Sequence, residues 1–114
     1  MTVIDRDGNI THVKGDTFGL TFIDVKLDGV LINWVGYKME LVVRTSAGSS
    51  VVVLELTEVS GGGIDLSVNG QIVMIKSATI MKTISARDYV YSWKVTNPSG
   101  IVDTWFSSKR FRQI

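Results

Sequence analysis

Side chains that alternate between apolar and polar at every second position are the feature that most limits what this chain can become. Phe18, Leu20 and Phe22 fall on one side of the stretch "TFGLTF", with Thr17, Gly19 and Thr21 on the other. Only an extended strand with one face buried uses that period; a helix would scatter the same residues around its circumference. The rhythm returns in "YKMELVVR", where Tyr37, Met39, Leu41 and Val43 oppose Lys38, Glu40 and Arg44, with Val42 the exception. In "VVVLELT", Glu55 selects Val52, Leu54 and Leu56 as the inward set. "YVYSWKVT" aligns Tyr89, Tyr91, Trp93 and Val95. "IVDTWF" and "KRFRQI" supply the last strands.

The segments between are rich in turn residues. Asp28-Gly29 is a turn signal, because glycine accepts positive φ, and Asn69-Gly70 is a short hairpin signal. The second is expected to pair "IDLS" with "QIVMIK". "TSAGSS" and "NPSG" are turns, and Pro98 cannot donate to a ladder. The one departure from period two is "SATIMKTISA". Ser77 can cap a short helix there, with Ile80, Met81 and Ile84 at helical spacing. The chain is therefore expected to be all-β: an antiparallel, immunoglobulin-like β-sandwich of about seven or eight strands, with a short helical segment near residues 77–84. Its 114 residues suit a single domain over 1–114. Residues 1–10 are expected to precede the sandwich as an extended arm.

The residue inventory narrows the chemistry. There is no cysteine, which excludes disulfides and thiolate chemistry. A net charge of +1 gives no strong field for nucleic acid or an acidic membrane, and neither is expected as a partner. The start of the chain has charges where a signal peptide would be apolar, so an exported product is not expected. His12 is the only histidine. Serine-type catalysis would need it as base, yet no serine stands in a strained nucleophile turn, so His12 is expected at the surface and no enzyme is expected. "DRDGNITHVKGD" has acids at the first and third places of a calcium loop, but Ile10 stands where glycine is required and Asp16 where a longer glutamate belongs. It is expected to be an Asp-Gly turn. "SGGGI" lacks the Gly-Lys-Ser/Thr ending of a phosphate loop. No metal or cofactor is expected.

Three features are candidates for binding. Tyr89, Tyr91 and Trp93 could stack bases, but only Lys94 accompanies them, on the opposite face, so they are expected in the core. Trp34 and Trp105 are the best candidates for a sugar-binding face; Phe106, adjacent to Trp105, is expected to point the other way. Val3, Ile4 and Ile10 in the N-terminal segment, with Lys109, Arg110 and Arg112 in the tail "SSKRFRQI", which has no acid nearby, are candidate interface residues. The tail could equally be an edge strand kept soluble by charge.

A longer ordered set ties these pieces together. It runs Lys14-Gly15-Asp16-Thr17-Phe18, Asp28-Gly29, then Gly36-Tyr37 leading to a strand that ends at Arg44. Asn69-Gly70-Gln71-Ile72, Tyr89-Val90-Tyr91, and Gly100 to Thr104 before a last strand through Phe111 complete it. The set resembles small β-sandwich proteins of tailed bacteriophages, in particular the N-terminal domains of baseplate upper proteins. The resemblance covers nearly the whole chain from Lys14. It implies a non-catalytic attachment module of the virion, without cofactor, present in several copies and bound to other virion proteins of the tail, baseplate, connector or head fibre. The alternative is a carbohydrate-binding module for the host surface. In that pattern Lys14-Gly15-Asp16 is a bend into the first long strand, with Asp16 accepting backbone hydrogen bonds, rather than a receptor tripeptide. The chain departs from the pattern at Val30-Leu31, where proline is common, and at Arg87 and around Ser108-Lys109, where glycine is. Arg87 in a left-handed conformation would be costly, so the turn before Tyr89 is expected to be built differently.

Overall fold

The computed structural model describes residues 1–114. Half of them lie in strands, and the chain is all-β. Eleven strands form where about seven or eight were expected. The surplus consists of pairings only two or three residues long: β1 (Thr2–Ile4), β2 (Ile10–His12), β4 (Lys26–Leu27), β5 (Val30–Leu31) and β8 (Ile64–Asp65). The longer strands are β3 (Phe18–Phe22), β6 (Lys38–Arg44), β7 (Val52–Thr57), β9 (Ile72–Lys76), β10 (Asp88–Thr96) and β11 (Val102–Gln113). The helical segment is α1 (Ala78–Met81), capped by the Ser77 hydroxyl accepting from the Ile80 N–H at 3.3 Å. No helix is long and apolar enough to cross a membrane.

A six-stranded sheet runs β1-β2-β11-β10-β6-β7, a three-stranded sheet runs β3-β9-β8, and β4 and β5 pair only with each other. The expected arm over 1–10 is instead the edge of the large sheet. Thr2, Val3 and Ile4 pair with His12, Thr11 and Ile10. The turn between them is closed by the Asp5 carboxylate, which accepts the N–H groups of Asp7 at 2.9 Å and Asn9 at 3.0 Å. Nor is the sheet wholly antiparallel. Phe111–Gln113 runs parallel to Ile10–His12, which puts the C-terminal strand between β2 and β10 rather than at an edge.

Alternating side chains from both main sheets meet in one cluster of 19 buried residues. The small sheet contributes Phe18, Leu20, Ile72 and Met74, and the large sheet Leu41, Val43, Leu56, Tyr91 and Trp93. Tyr89, Tyr91, Trp93 and Val95 are all buried, as their spacing required. The two sheets are stitched beside β7, where Gly63 O accepts the Ile75 N–H at 2.8 Å and Gly62 O that of Thr57 at 3.0 Å. Gly63 has φ 99° and lies so close to Ile75 O that a Cβ would sit 2.8 Å from it, so only glycine fits this seam.

Two alternation readings fail, both at bulges. Val43 opposes Leu54 while Arg44 opposes Val52, so Val53 is an extra residue and Val52 turns outward beside Arg44. In β11, Lys109, Phe106 and Thr104 oppose Tyr91, Trp93 and Lys94, so β11 gains one residue at each of two places. The bulges bring both Trp105 and Phe106 to Trp93, with ring centroids 5.1 and 6.0 Å away, instead of sending them to opposite faces.

Turn chemistry follows the residues more closely. Asp28 and Gly29 both have positive φ (53° and 79°) and join Leu27 to Val30, which is the two-residue type I′ arrangement. Asn69-Gly70 differs. Ile64 and Asp65 do pair with Met74 and Val73, but across a six-residue connection. There Gly70 alone has positive φ, and the Gln71 N–H bonds Val68 O, the pattern of a type II turn. The turn before Tyr89 avoids a left-handed Arg87, whose guanidinium lies over the Tyr89 ring at 5.2 Å. Ser108, where the resemblance leads one to look for glycine, does take positive φ (51°).

Candidate functional site

His12 is not at the surface. It is wholly buried, its ring 5.8 Å from that of Phe18 and its Nδ1 2.7 Å from Gln113 Oε1. Gln113 Nε2 donates to Met81 O at 3.0 Å and Ile84 O at 3.2 Å. With the amide nitrogen committed to two carbonyls, Oε1 is the acceptor and His12 Nδ1 carries the proton. His12 Nε2 has no partner. The histidine is therefore a packing group held between strands, away from any serine in its hydrogen bonds.

The Lys14-Gly15-Asp16 bend leads into β3, with Gly15 at φ 91° and the Asp16 N–H bonded to Val13 O at 3.1 Å. The Asp16 carboxylate accepts from the amino group of Met1 rather than from backbone amides, and that contact holds its carboxyl below the usual range. In the supposed calcium loop, Asp5 is likewise lowered, first by the Asn9 N–H. Tyr91 reaches the same loop and donates its hydroxyl to Gly8 O; burial pushes its phenol up.

The interface candidates separate. Ile10 is completely buried beside Phe111, so it holds the sheet together and is closed to partners. Ile4 packs on the core, while Val3 stays exposed. In the tail, Arg110 faces solvent and Lys109 is half-buried. Arg112 does have an acid: its Nε lies 2.8 Å from Asp88 Oδ1, across the β10–β11 ladder. The structure does not bring Trp34 and Trp105 onto one open face. Trp34 is only 4% exposed and packs edge-on to Tyr37, with centroids 5.3 Å apart. Trp105 is 37% exposed and lies against Trp93.

Two features escaped the sequence reading. The first is the β4–β5 hairpin, which belongs to neither main sheet. Leu27, Val30 and Leu31 on it, and Ile23 just before it, are all exposed. Its base is tied to the loop before β9, where the Val25 N–H bonds Gly70 O at 2.9 Å and the Gly70 N–H bonds Ile32 O at 2.8 Å. The signal was available: a two-residue turn flanked by aliphatics, on strands too short to own a buried face. The second is a cleft of about 610 Å³ lined by Trp34, Tyr37, Glu58, Asp65, Val73 and Ile75 among others. Glu58 is fixed there by accepting the Met39 N–H at 3.1 Å. Asp65 accepts the Ser67 N–H at 2.8 Å, and hydrogen bonds from Ser67, its side chain first, hold its carboxyl below the usual range.

Comparison with protein-family models, with curated proteins and with solved structures found no match.

Proposed function

We propose that this chain is a non-catalytic adaptor module of a tailed-phage virion, folded as an immunoglobulin-like β-sandwich, which grips neighbouring particle proteins through its β4–β5 hairpin. The carrying observation is that hairpin. An isolated two-stranded ribbon is marginal in water, and this one exposes three aliphatic side chains to solvent, with a fourth, Ile23, just before it. Exposed apolar groups gathered on one hairpin mark a contact surface. The sequence resemblance to baseplate upper N-terminal domains supplies the setting: several copies in a symmetric assembly within the virion, bound to tail, baseplate, connector or head-fibre proteins. The sandwich reading draws support from the shared core of the two main sheets and from their stitching beside β7. The only histidine is occupied in packing, in keeping with a role that needs no proton transfer. The carbohydrate-binding alternative is the weaker reading, since it needs two open rings and Trp34 is buried.

A photo-crosslinking amino acid at Val30, incorporated while particles are made, tests the proposal. The expected result is an adduct with another virion protein in purified particles. A Leu27→Ser/Val30→Ser variant should keep the thermal midpoint of the parent and fail to enter particles. Absence of the parent chain from mature particles would overturn the idea.

A further inference from the structure

The cleft is chemically one-sided. Glu58 and Asp65 are both on its wall, and no lysine or arginine lines it. Neither acid has a cation within ion-pair distance; the two ion pairs of the fold are Met1–Asp16 and Arg112–Asp88. Lys76 passes nearby, its Cε 3.1 Å from where a Cβ on Gly63 would stand, and Lys38 and Lys94 line the neighbouring cleft that Glu58 also borders, but no ammonium pairs with either acid. Trp34 and Tyr37 form an aromatic corner, ring planes at 85°. Val73 and Ile75 add an apolar lining, and they turn away from the core that Ile72 and Met74 enter.

Acids without cations attract a positive charge by Coulomb attraction, and the partly open Tyr37 ring adds the pull of its quadrupole. An apolar lining suits the methylene stem that carries such a charge. The cleft also adjoins an open edge. Asp65 lies on β8, the outer strand of the three-stranded sheet, and β8 pairs with β9 alone. An extended peptide can add to such an edge while alternate side chains enter the pocket beside it. A flat sugar is a poorer fit, because the Trp34 ring is almost wholly covered.

We infer that the cleft between Trp34, Tyr37, Glu58 and Asp65 is a binding site for a lysine side chain presented by an extended segment of a partner protein. This stands apart from the virion reading and uses a different surface.

The test is a titration of the labelled protein, followed by amide chemical shifts, with the blocked peptide Thr-Thr-Lys-Thr-Thr. Two controls accompany it: the same peptide with norleucine for lysine, which keeps the stem and drops the charge, and maltose. Saturable shifts centred on Tyr37, Glu58 and Asp65 are expected, with the norleucine peptide weaker by about tenfold. The Glu58→Gln/Asp65→Asn variant keeps an acceptor for Met39 and for Ser67 and should also lose about tenfold. Equal binding by the norleucine peptide, preference for maltose, or no saturable shift with the lysine peptide would each overturn the assignment. If the double variant fails to fold, the lysine–norleucine comparison on the parent protein still decides.

Discussion

Gln113, in the last strand, accepts from His12 in β2 and donates to the Met81 and Ile84 carbonyls around α1. One buried amide thus joins three parts of the chain that are far apart in sequence. Gln113→Ala leaves the His12 N–H and Ile84 O buried without a partner and takes one of two donors from Met81 O, which keeps the Ile84 N–H, so a loss of about 3 kcal/mol is expected. Gln113→Glu should also destabilise, because a carboxylate cannot donate to the two carbonyls. Urea unfolding followed by tryptophan fluorescence measures both. Parent-like stability in the alanine variant would show that the amide is not a tie.

Trp93 and Trp105 touch each other but differ in burial, 2% against 37% exposed. Trp93→Ala removes a core ring from between Phe22, Trp105 and Phe106 and should cost about 3–5 kcal/mol. Trp105→Ala gives up less covered surface and should cost roughly 1–2 kcal/mol. Chemical denaturation of the two variants side by side checks the ordering. Equal costs would mean that the β11 bulges hold Trp105 more firmly than its exposure suggests.

What could be read from the residues alone was whatever depends on local period or local turn chemistry. Phe18/Leu20, Met39/Leu41/Val43 and Tyr89/Tyr91/Trp93/Val95 announce their burial because a strand with one covered face must alternate. Asp28-Gly29 announces its turn because both residues tolerate positive φ. The rest depends on partners distant in the chain. A bulge is defined only against the opposing strand, so Val52 and the Trp105–Phe106 pair were misassigned. The parallel pairing of β11 with β2 joins residues about a hundred positions apart, which no local pattern encodes; His12 and Ile10 are buried because of it. The cleft gathers Trp34, Glu58 and Asp65 from three separate connections or strand ends. Arg112 looked free of acids because Asp88, its partner, is adjacent only across a ladder.

Ser108 holds a left-handed conformation, φ 51°, at the second bulge of β11. An L-residue with a Cβ pays roughly 1–2 kcal/mol there, and glycine does not. Glycine also has more freedom to lose from the unfolded chain, which offsets part of the gain. The expected net effect of Ser108→Gly is a stabilisation of about 0.5–1 kcal/mol. Differential scanning calorimetry reads this as a raised midpoint. A lowered midpoint would mean that the Ser108 side chain itself steadies the bulge.

The Arg112–Asp88 pair predicts how stability responds to acid. Hydrogen bonding from Arg112, then its charge, holds the Asp88 carboxyl below its ordinary value of 3.8. The unfolded chain returns the group to about 3.9. Because the folded value is the lower one, the pair's stabilisation is fully present above that unfolded value and disappears as pH falls through the folded value. Asp5, Asp16 and Asp65 are shifted the same way, so the chain as a whole should lose stability below about pH 4. Asp88→Asn should lower the thermal midpoint at neutral pH, decline less steeply in acid, and converge on the parent at the acid end. Since both side chains are about half exposed, added salt should narrow the neutral-pH gap. Thermal midpoints of the two proteins, measured from neutral pH to about pH 3, carry the decision: parallel curves at every pH would show that Asp88 contributes through something other than its charge.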